Sequence, residues 1–303
     1  MFRGIGIGDD CAVVPIPRGH QALLTTDFSL EDIHFRRAWH PPESVGHRCL
    51  ARGLSDIAAM GGQPLAMFLS LALPRSLPQK WVDGFLSGLL KLADEFRVVL
   101  AGGDTAESPG GILADIVVLG SVPKGKAVLR SGARPGDRIY VTSELGASAA
   151  TLDLLSGGTK LRPLEYRGHF YPTPRIVVGR FLREKGLASA MIDLSDGLST
   201  DLDHICEESG VGAELETEAI PLAIVGKPAR RVDLRFALHG GEDYELLFTA
   251  SVGKKVPPRI AGVAIRQIGL VTRGGKVLLR NKKGVLQDFR PQGWEHFKKA
   301  QTT

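Results

Sequence analysis

Cysteine is scarce in this 303-residue sequence: Cys11, Cys49 and Cys206 are an odd number at no metal-ligand spacing. That excludes a disulfide framework and a cysteine-ligated zinc site. Long apolar runs are missing as well. The longest, around Ala66 to Leu73, is too short to span a bilayer. No apolar signal region occupies Met1 to Asp10. No membrane partner is expected, and the expected location is the cytoplasm. A concentrated charge of one sign is also lacking. The net charge is +5, but the basic residues fall in separated pairs such as Arg230–Arg231, Lys254–Lys255, Lys282–Lys283 and Lys298–Lys299. Without aromatic interleaving or helix-turn-helix and finger spacing, they read as solvated surface and not as a nucleic-acid groove. The excess can also offset anionic phosphate ligands.

What is present has ordinary globular proportions, with 43% hydrophobic and 23% charged residues. The length accommodates a sizeable core and two domains. Strand and helix patterns alternate. Gln21 to Thr26 reads as a strand. Glu43 to Met60 reads as a helix with Val45, Leu50, Leu54 and Ile57 in one apolar stripe, ended by Gly61–Gly62 and Pro64. Phe68 to Leu73 is a second strand. Pro78 opens the clearest helix, with Trp81, Phe85, Leu89, Leu92 and Phe96 at spacings of three and four.

Val98 to Ala101 then reads as a short strand running into Gly102–Gly103–Asp104, and Asp115 to Gly120 as another. A turn-rich boundary at Gly132 to Asp137 precedes a strand, Arg138 to Thr142, and a helix from about Glu144 to Ser156. Later come a helix from Thr173–Pro174 to about Lys185, a helix beginning near Leu198, a strand over Tyr244 to Phe248 and a terminal hairpin after Ile268. This alternation predicts an α/β or α+β chain in two domains, residues 1–132 and 133–303.

The acids are placed informatively. Asp9–Asp10, Asp27, Asp104 and the pair Asp193/Asp196 each adjoin a short apolar run, with Gly, Ser or Thr beside them. Strand ends expose side chains and amides to a cleft. Carboxylates gathered there repel one another unless a multivalent cation neutralises them, and hard oxygen donors suit Mg²⁺. Asp56 lies off the apolar stripe of its helix among small residues, Gly53, Ser55, Ala58, Ala59 and Gly61, which admit either a close ligand or tight packing. Each aspartate alone is equally a turn or cap residue, and Asp196 suits the cap of the helix beginning near Leu198. Two glycine patterns are decoys. Gly120 to Lys126 lacks the hydroxyl of a P-loop, since Ala127 follows, and Pro123 removes a needed donor. Gly4 to Gly8 has no preceding strand and the wrong interval for a dinucleotide fingerprint.

Seven segments in order resemble the thiamine-monophosphate kinase family, of the superfamily that includes aminoimidazole ribonucleotide synthetase. They are Gly8-Asp-Asp-Cys-Ala-Val-Val14, Thr25-Thr-Asp27 through Ile33-His-Phe35, Leu54-Ser-Asp-Ile-Ala-Ala-Met-Gly61, Gly102-Gly-Asp104, Arg130 to Asp137, Asp193-Leu-Ser-Asp-Gly197 and Gly240-Gly-Glu-Asp-Tyr-Glu-Leu246. The Asp-Asp motif begins nearer the start than is usual in that family. Cys11 stands where a small residue is usual and is expected to be a small buried residue.

The resemblance implies a two-domain aminoimidazole ribonucleotide synthetase-like fold. Its N-terminal domain, residues 1–132, would bind ATP and metal and pair in a homodimer; its C-terminal domain would be α/β. It implies several Mg²⁺ ions held by Asp10, Thr26, Asp27, Asp56, Asp104, Asp193 and Asp196, and ATP contacted by Gly103, Asp104, Arg130 and Ser195. Asp27, His34, Glu242 and Trp294 would serve the substrate, thiamine monophosphate. Outside the resemblance, Arg130 reads either as a fork for a phosphate or as an exposed arginine by a turn, Trp294 either as a stacking platform for a flat ring or as a core-capping aromatic, His34 either as a ligand-bonding or as a buried structural histidine, and Glu242 and Asp243 as a turn pair. The implied reaction is direct, metal-assisted phosphoryl transfer without a covalent phosphoenzyme. The alternatives are a synthetase of the superfamily that releases phosphate, an inert nucleotide- or metal-binding protein, and a structural protein whose aspartates only make turns.

Overall fold

The structure is a computed structural model that describes residues 4, 6–8 and 10–293. In chain order it begins with β1 (His20–Leu30), α1 (Pro42–Ala59), β2 (Gln63–Pro74), α2 (Gln79–Phe96), β3 (Val99–Ser108) and β4 (Leu113–Pro123). Next come β5 (Arg138–Thr142), α3 (Ala147–Ser156), α4 (Arg167–Phe170), α5 (Ile176–Glu184), β6 (Ala190–Asp193), α6 (Leu198–Ser209) and β7 (Gly212–Glu216). A small ribbon, β8 (Ile224–Val225) with β9 (Arg230–Arg231), precedes α7 (Leu234–His239) and β10 (Leu246–Ala250). The last strands are β11 (Arg259–Ile260), β12 (Val263–Thr272), β13 (Val277–Arg280) and β14 (Leu286–Asp288).

Two compact units result: residues 1–128 with 158–186, and residues 129–157 with 187–303. A single division at 132 does not describe this, because the chain re-enters the first unit after α3. Hydrogen bonds explain the return. His40 Nε2 lies 2.9 Å from His169 Nε2, and the buried Arg48 guanidinium donates to the His169 carbonyl at 3.0 Å. Arg183 Nε donates to the Gly61 carbonyl at 2.7 Å. Buried polar groups of this kind need partners, so residues 158–186 are fastened to α1 and its flanks.

In the first unit the strands run in the order β1-β4-β2-β3. The β2–β3 pair is parallel because α2 carries the chain back across the sheet, and the other pairs are antiparallel. Leu50, Leu54 and Ile57 of α1 are almost wholly inaccessible, as their spacing requires. The second unit orders its strands β14-β13-β7-β12-β5-β10-β6, with β11 on β12. Its core gathers Ile139 and Val141 from β5, Leu202 and Ile205 from α6, Leu247 from β10 and Ile268 from β12.

Several expectations are corrected. β1 and β3 extend well past their apolar stretches, so Asp27 and Asp104 sit inside strands and not at strand ends. Backbone pairing supplies the extension: β2 pairs with β3 as far as Pro74–Ser108, through an irregularity between Met67 and Phe68. Tyr244 has φ 52°, so the strand expected from it starts at Leu246. Cys11 is exposed, not buried. Gly120 to Pro123 is simply the end of β4. Among the described residues, no helix is long and apolar enough to cross a membrane.

Candidate active site

In the first unit, β1 alternates between two faces. Leu23 and Ser29 are buried and Thr25 and Asp27 half-buried on the face that meets α1, while Leu24, Thr26 and Phe28 are exposed. The Thr25 hydroxyl donates to Asp56 Oδ2, joining β1 to α1 two residues from Asp27. Thr26 takes the other direction, its hydroxyl donating to Asp115 Oδ1 at 2.7 Å. Pairing places Phe28, Asp115, Ser70 and Asp104 in one row across β1, β4, β2 and β3. The candidates of this unit therefore fall in two groups, Asp27 with Asp56 and Thr26 with Asp115, and Asp104 stands in the Asp115 row.

Gly103 precedes Asp104 with φ 150°, and a Cβ there would lie 1.9 Å from the Leu69 carbonyl oxygen. Only glycine fits, which leaves an exposed stretch of backbone beside the carboxylate. Asp104 Oδ1 accepts the Thr105 N–H at 2.8 Å. His34 is half-buried; its Nδ1 accepts the Leu30 N–H at 3.0 Å, consistent with a positioning bond from the end of β1. Asp10 is exposed.

In the second unit, Asp193 ends β6 and the loop Leu194–Gly197 leads to α6. A carboxylate from within the helix shapes that loop. Asp201 Oδ2 accepts the N–H groups of Asp196 at 3.1 Å and Gly197 at 3.0 Å. Asp196 does not cap α6, whose N-cap is Gly197, without a side-chain cap bond. Burial pushes the Asp201 carboxyl well above the ordinary carboxylate range, and the neighbouring charges of Asp193 and Asp196 push the same way.

A second loop runs beside the first. The Glu242 N–H donates to the Ser195 carbonyl at 2.8 Å, the Tyr244 N–H to the Leu194 carbonyl at 2.9 Å, and the Leu194 N–H to the Glu245 carbonyl at 2.8 Å. A Cβ on Gly241 would stand 2.5 Å from the Ser195 carbonyl oxygen, so glycine is required for this approach. Glu242 and Tyr244 both hold left-handed conformations, φ 65° and 52°. Each costs a side-chain-bearing residue about 1–2 kcal/mol. Asp243, between them, accepts the N–H groups of Gly146 at 2.6 Å and Ser148 at 3.2 Å at the start of α3. Burial raises its carboxyl to about 7, against the downward pull of those amides.

Arg130 is exposed, and its carbonyl accepts the Ser209 hydroxyl at 3.0 Å. Trp294 lies outside the described residues. Its predecessor Gly293 donates its N–H to Thr200 Oγ1 at 3.1 Å, and a Cβ there would meet the Asp196 carbonyl oxygen at 2.0 Å. The chain just before Trp294 thus runs against the Asp193–Gly197 loop.

Sequence reasoning missed Thr25, Asp115, Asp201 and Asp243. The parity of a strand was a usable signal for Thr25, since residues i and i+2 share a face and Thr25 is the hydroxyl with the parity of Asp27. Asp115 and Asp201 occupy positions that read as an outward strand residue and a polar helix residue. No local pattern marks either. Among the described residues, no group of three or more His, Cys, Asp or Glu side chains is close enough to form a ready metal cage. The donors that are present, carboxylates and threonine hydroxyls, are hard oxygens. They fit Mg²⁺, which keeps waters and arrives with substrate phosphates instead of needing an all-protein cage.

Comparison with known proteins identifies the family and the fold. Residues 8–122 match the AIR synthase related protein, N-terminal domain, and residues 134–256 the AIR synthase related protein, C-terminal domain. The thiamine-monophosphate kinase of Haemophilus influenzae is 43% identical over 252 residues, 81% of this chain and 75% of that protein. The thiamine-monophosphate kinase of Salmonella typhimurium is 39% identical over 306 residues, 96% of this chain and 91% of its own length. A solved structure described as AaThiL complexed with AMPPCP and TMP superimposes with a TM-score of 0.82 at 32% identity, covering 94% of this chain and 90% of that one.

Proposed function

The chain belongs to the thiamine-monophosphate kinase family of AIR synthase related proteins, and we propose that it transfers the terminal phosphoryl group of ATP to thiamine monophosphate, giving thiamine diphosphate and ADP. One observation carries the reading: a fold shared over 94% of the chain with a relative described in complex with AMPPCP and TMP.

Asp10, Thr26, Asp27, Asp56, Asp104, Asp193 and Asp196 are assigned to several Mg²⁺ ions, with Asp27 and Asp56 in one group and Thr26 and Asp104 in another. When bound, the metal supplies charge neutralisation on phosphoryl oxygens. Gly103, Asp104, Arg130 and Ser195 are assigned to ATP, and Asp27, His34, Glu242 and Trp294 to the acceptor. The bare backbone at Gly103 lets a phosphate approach an amide, and the Arg130 guanidinium is a fork of donors suited to phosphate oxygens. The attacking group is a phosphate oxygen of the acceptor, whose second pKa of about 6 leaves it ionised near neutrality. No strong base is needed, and in-line positioning provides most of the rate. The γ-phosphorus–oxygen bond to ADP breaks as the bond to the acceptor oxygen forms, without a phosphoenzyme.

The ATP- and metal-binding and dimerisation roles are assigned to the region of residues 1–132. Homodimer pairing is supported by its sheet, whose open face leaves Leu24 71% and Phe28 53% exposed. Sedimentation showing only monomer would end that part of the proposal. A cytoplasmic location belongs to the same reading. A synthetase remains the second reading, favoured by the breadth of the matched AIR synthase related families. Phosphorus-31 NMR of protein, Mg²⁺–ATP and thiamine monophosphate separates the two. Thiamine diphosphate with ADP supports the kinase, whereas free phosphate without thiamine diphosphate overturns it.

A further inference from the structure

Among the described residues, six positions other than glycine have positive φ: Asp32, Arg97, Ser143, Glu242, Tyr244 and Ala261. Arg97 caps α2, and Ala261 makes the tight turn between β11 and β12. Glu242 and Tyr244 are different, because they flank one residue in the loop between α7 and β10, beyond the Gly240 cap. Conformations of this kind persist only where surrounding contacts over-determine them, and they gather at functional sites.

The contacts that hold this segment come from two sides. On one side, the amides of Glu242 and Tyr244 are spent on the carbonyls of Ser195 and Leu194. On the other, Asp243 reaches the first turn of α3 through Gly146 and Ser148. Two residues further on, Glu245 Oε2 accepts the Thr142 hydroxyl at 2.5 Å, and Thr142 Oγ1 in turn accepts the Leu246 N–H at 2.8 Å. The carbonyl bonds fix the two amides on one side of the segment. The bonds that Asp243 accepts from the α3 amides tie the residue between them from the other side.

We propose that Asp243 is a positioning residue, which clamps the first turn of α3 and thereby holds Glu242 in its left-handed conformation against the Ser195 carbonyl. The clamp makes the setting of Glu242 depend on the loop that carries Asp193 and Asp196. Its chemical consequence is a fixed direction for the Glu242 carboxylate. This rests on the assignment of Glu242 to the acceptor side under the proposed function.

The test compares Asp243→Ala, Asp243→Asn, Glu242→Ala and the Glu242→Ala/Asp243→Ala double variant in steady-state assays of thiamine diphosphate formation, each well below its melting temperature. In Asp243→Ala the KM for thiamine monophosphate rises about tenfold or more, while the KM for ATP changes by less than about threefold. Asp243→Asn keeps an oxygen acceptor for the Gly146 amide and recovers most of the loss. On the Glu242→Ala background, removing Asp243 adds less than about a twofold change, because the clamp then has nothing to aim. Equal multiplicative losses on both backgrounds overturn the proposal, and so do equal rises in both KM values. A wild-type chain that makes no thiamine diphosphate sinks the functional reading. A wild-type chain that makes it, with an unchanged KM in Asp243→Ala, sinks only the clamp.

Discussion

The first unit mounts its acids on regular elements, and the second mounts them on two loops. Asp27 and Asp104 lie inside strands, and Asp56 lies on a helix whose Leu50, Leu54 and Ile57 are wholly buried. Their placement follows from pairing register and helix packing, which would persist if the acids were changed. Asp193 instead closes β6, and Ser195, Asp196 and Glu242 lie in loops outside regular elements. Buried carboxylates hold their backbones, Asp201 accepting two amides of one loop and Asp243 two amides at the start of α3. In one region the acids stand on elements set by pairing register and close-packed apolar side chains. The other is shaped by polar bonds that each need a particular acceptor.

The sharpest way to break this comparison is to remove charge where the scaffold does not depend on it. Asp56→Asn keeps an oxygen for the Thr25 hydroxyl, and Asp27→Asn leaves the β1 register intact. Both are expected to lower kcat about a hundredfold or more, with cooperative melting retained. Near-normal turnover at limiting Mg²⁺ would remove these residues from the metal assignment. Gly241→Ala comes next. Its Cβ would press on the Ser195 carbonyl, so the paired loops must part. Activity should fall about tenfold, with a stability loss of about 1–3 kcal/mol. A fully active variant would mean that the pairing of the loops is dispensable.

Leu54→Ala addresses the other region. It should cost about 2–5 kcal/mol by emptying part of the first core, while kcat per folded molecule stays close to wild type. Chemical denaturation measures the first effect and active-site-normalised turnover the second. The smallest effect concerns pH. The Asp243 carboxyl is raised from 3.8 to about 7 in the folded chain, so the fold binds that proton more tightly than the unfolded chain does. Its contribution is greatest below the unfolded value and is lost as pH rises through about 7. From about pH 5 to about pH 8, the wild-type melting temperature should therefore decline relative to Asp243→Asn. Parallel melting curves across that range would show that Asp243 has an ordinary carboxyl.

Much of this was legible before the structure. The apolar stripe of α1, the start of α2 after Pro78 and the strand from Arg138 to Thr142 followed from period and punctuation. The boundaries of β1 and β3 did not, because strand length was set by neighbours that pair with polar residues as readily as with apolar ones. Cys11 was read as buried from its small size and its place in a motif, yet exposure depends on what packs over it. Of the candidate site, the acids beside Gly, Ser and Thr stood out. Of the residues that aim them, Thr25 was marked only by strand parity and Asp243 only as a turn residue, and Asp201 by no local pattern.

By itself the sequence determined the chemistry available: hard oxygen donors, glycines at the points of closest approach and apolar periods that distinguish helix from strand. Those properties belong to single residues and short intervals, so a linear reading captures them. Only the tertiary structure decided that residues 158–186 join the first unit and that Thr26 turns to Asp115 while Thr25 turns to Asp56. It alone decided that Asp243 would grip α3, 95 to 97 residues earlier in the chain. A hydrogen bond between distant residues has no signature in the local pattern of either, because its geometry comes into being only when the chain has folded.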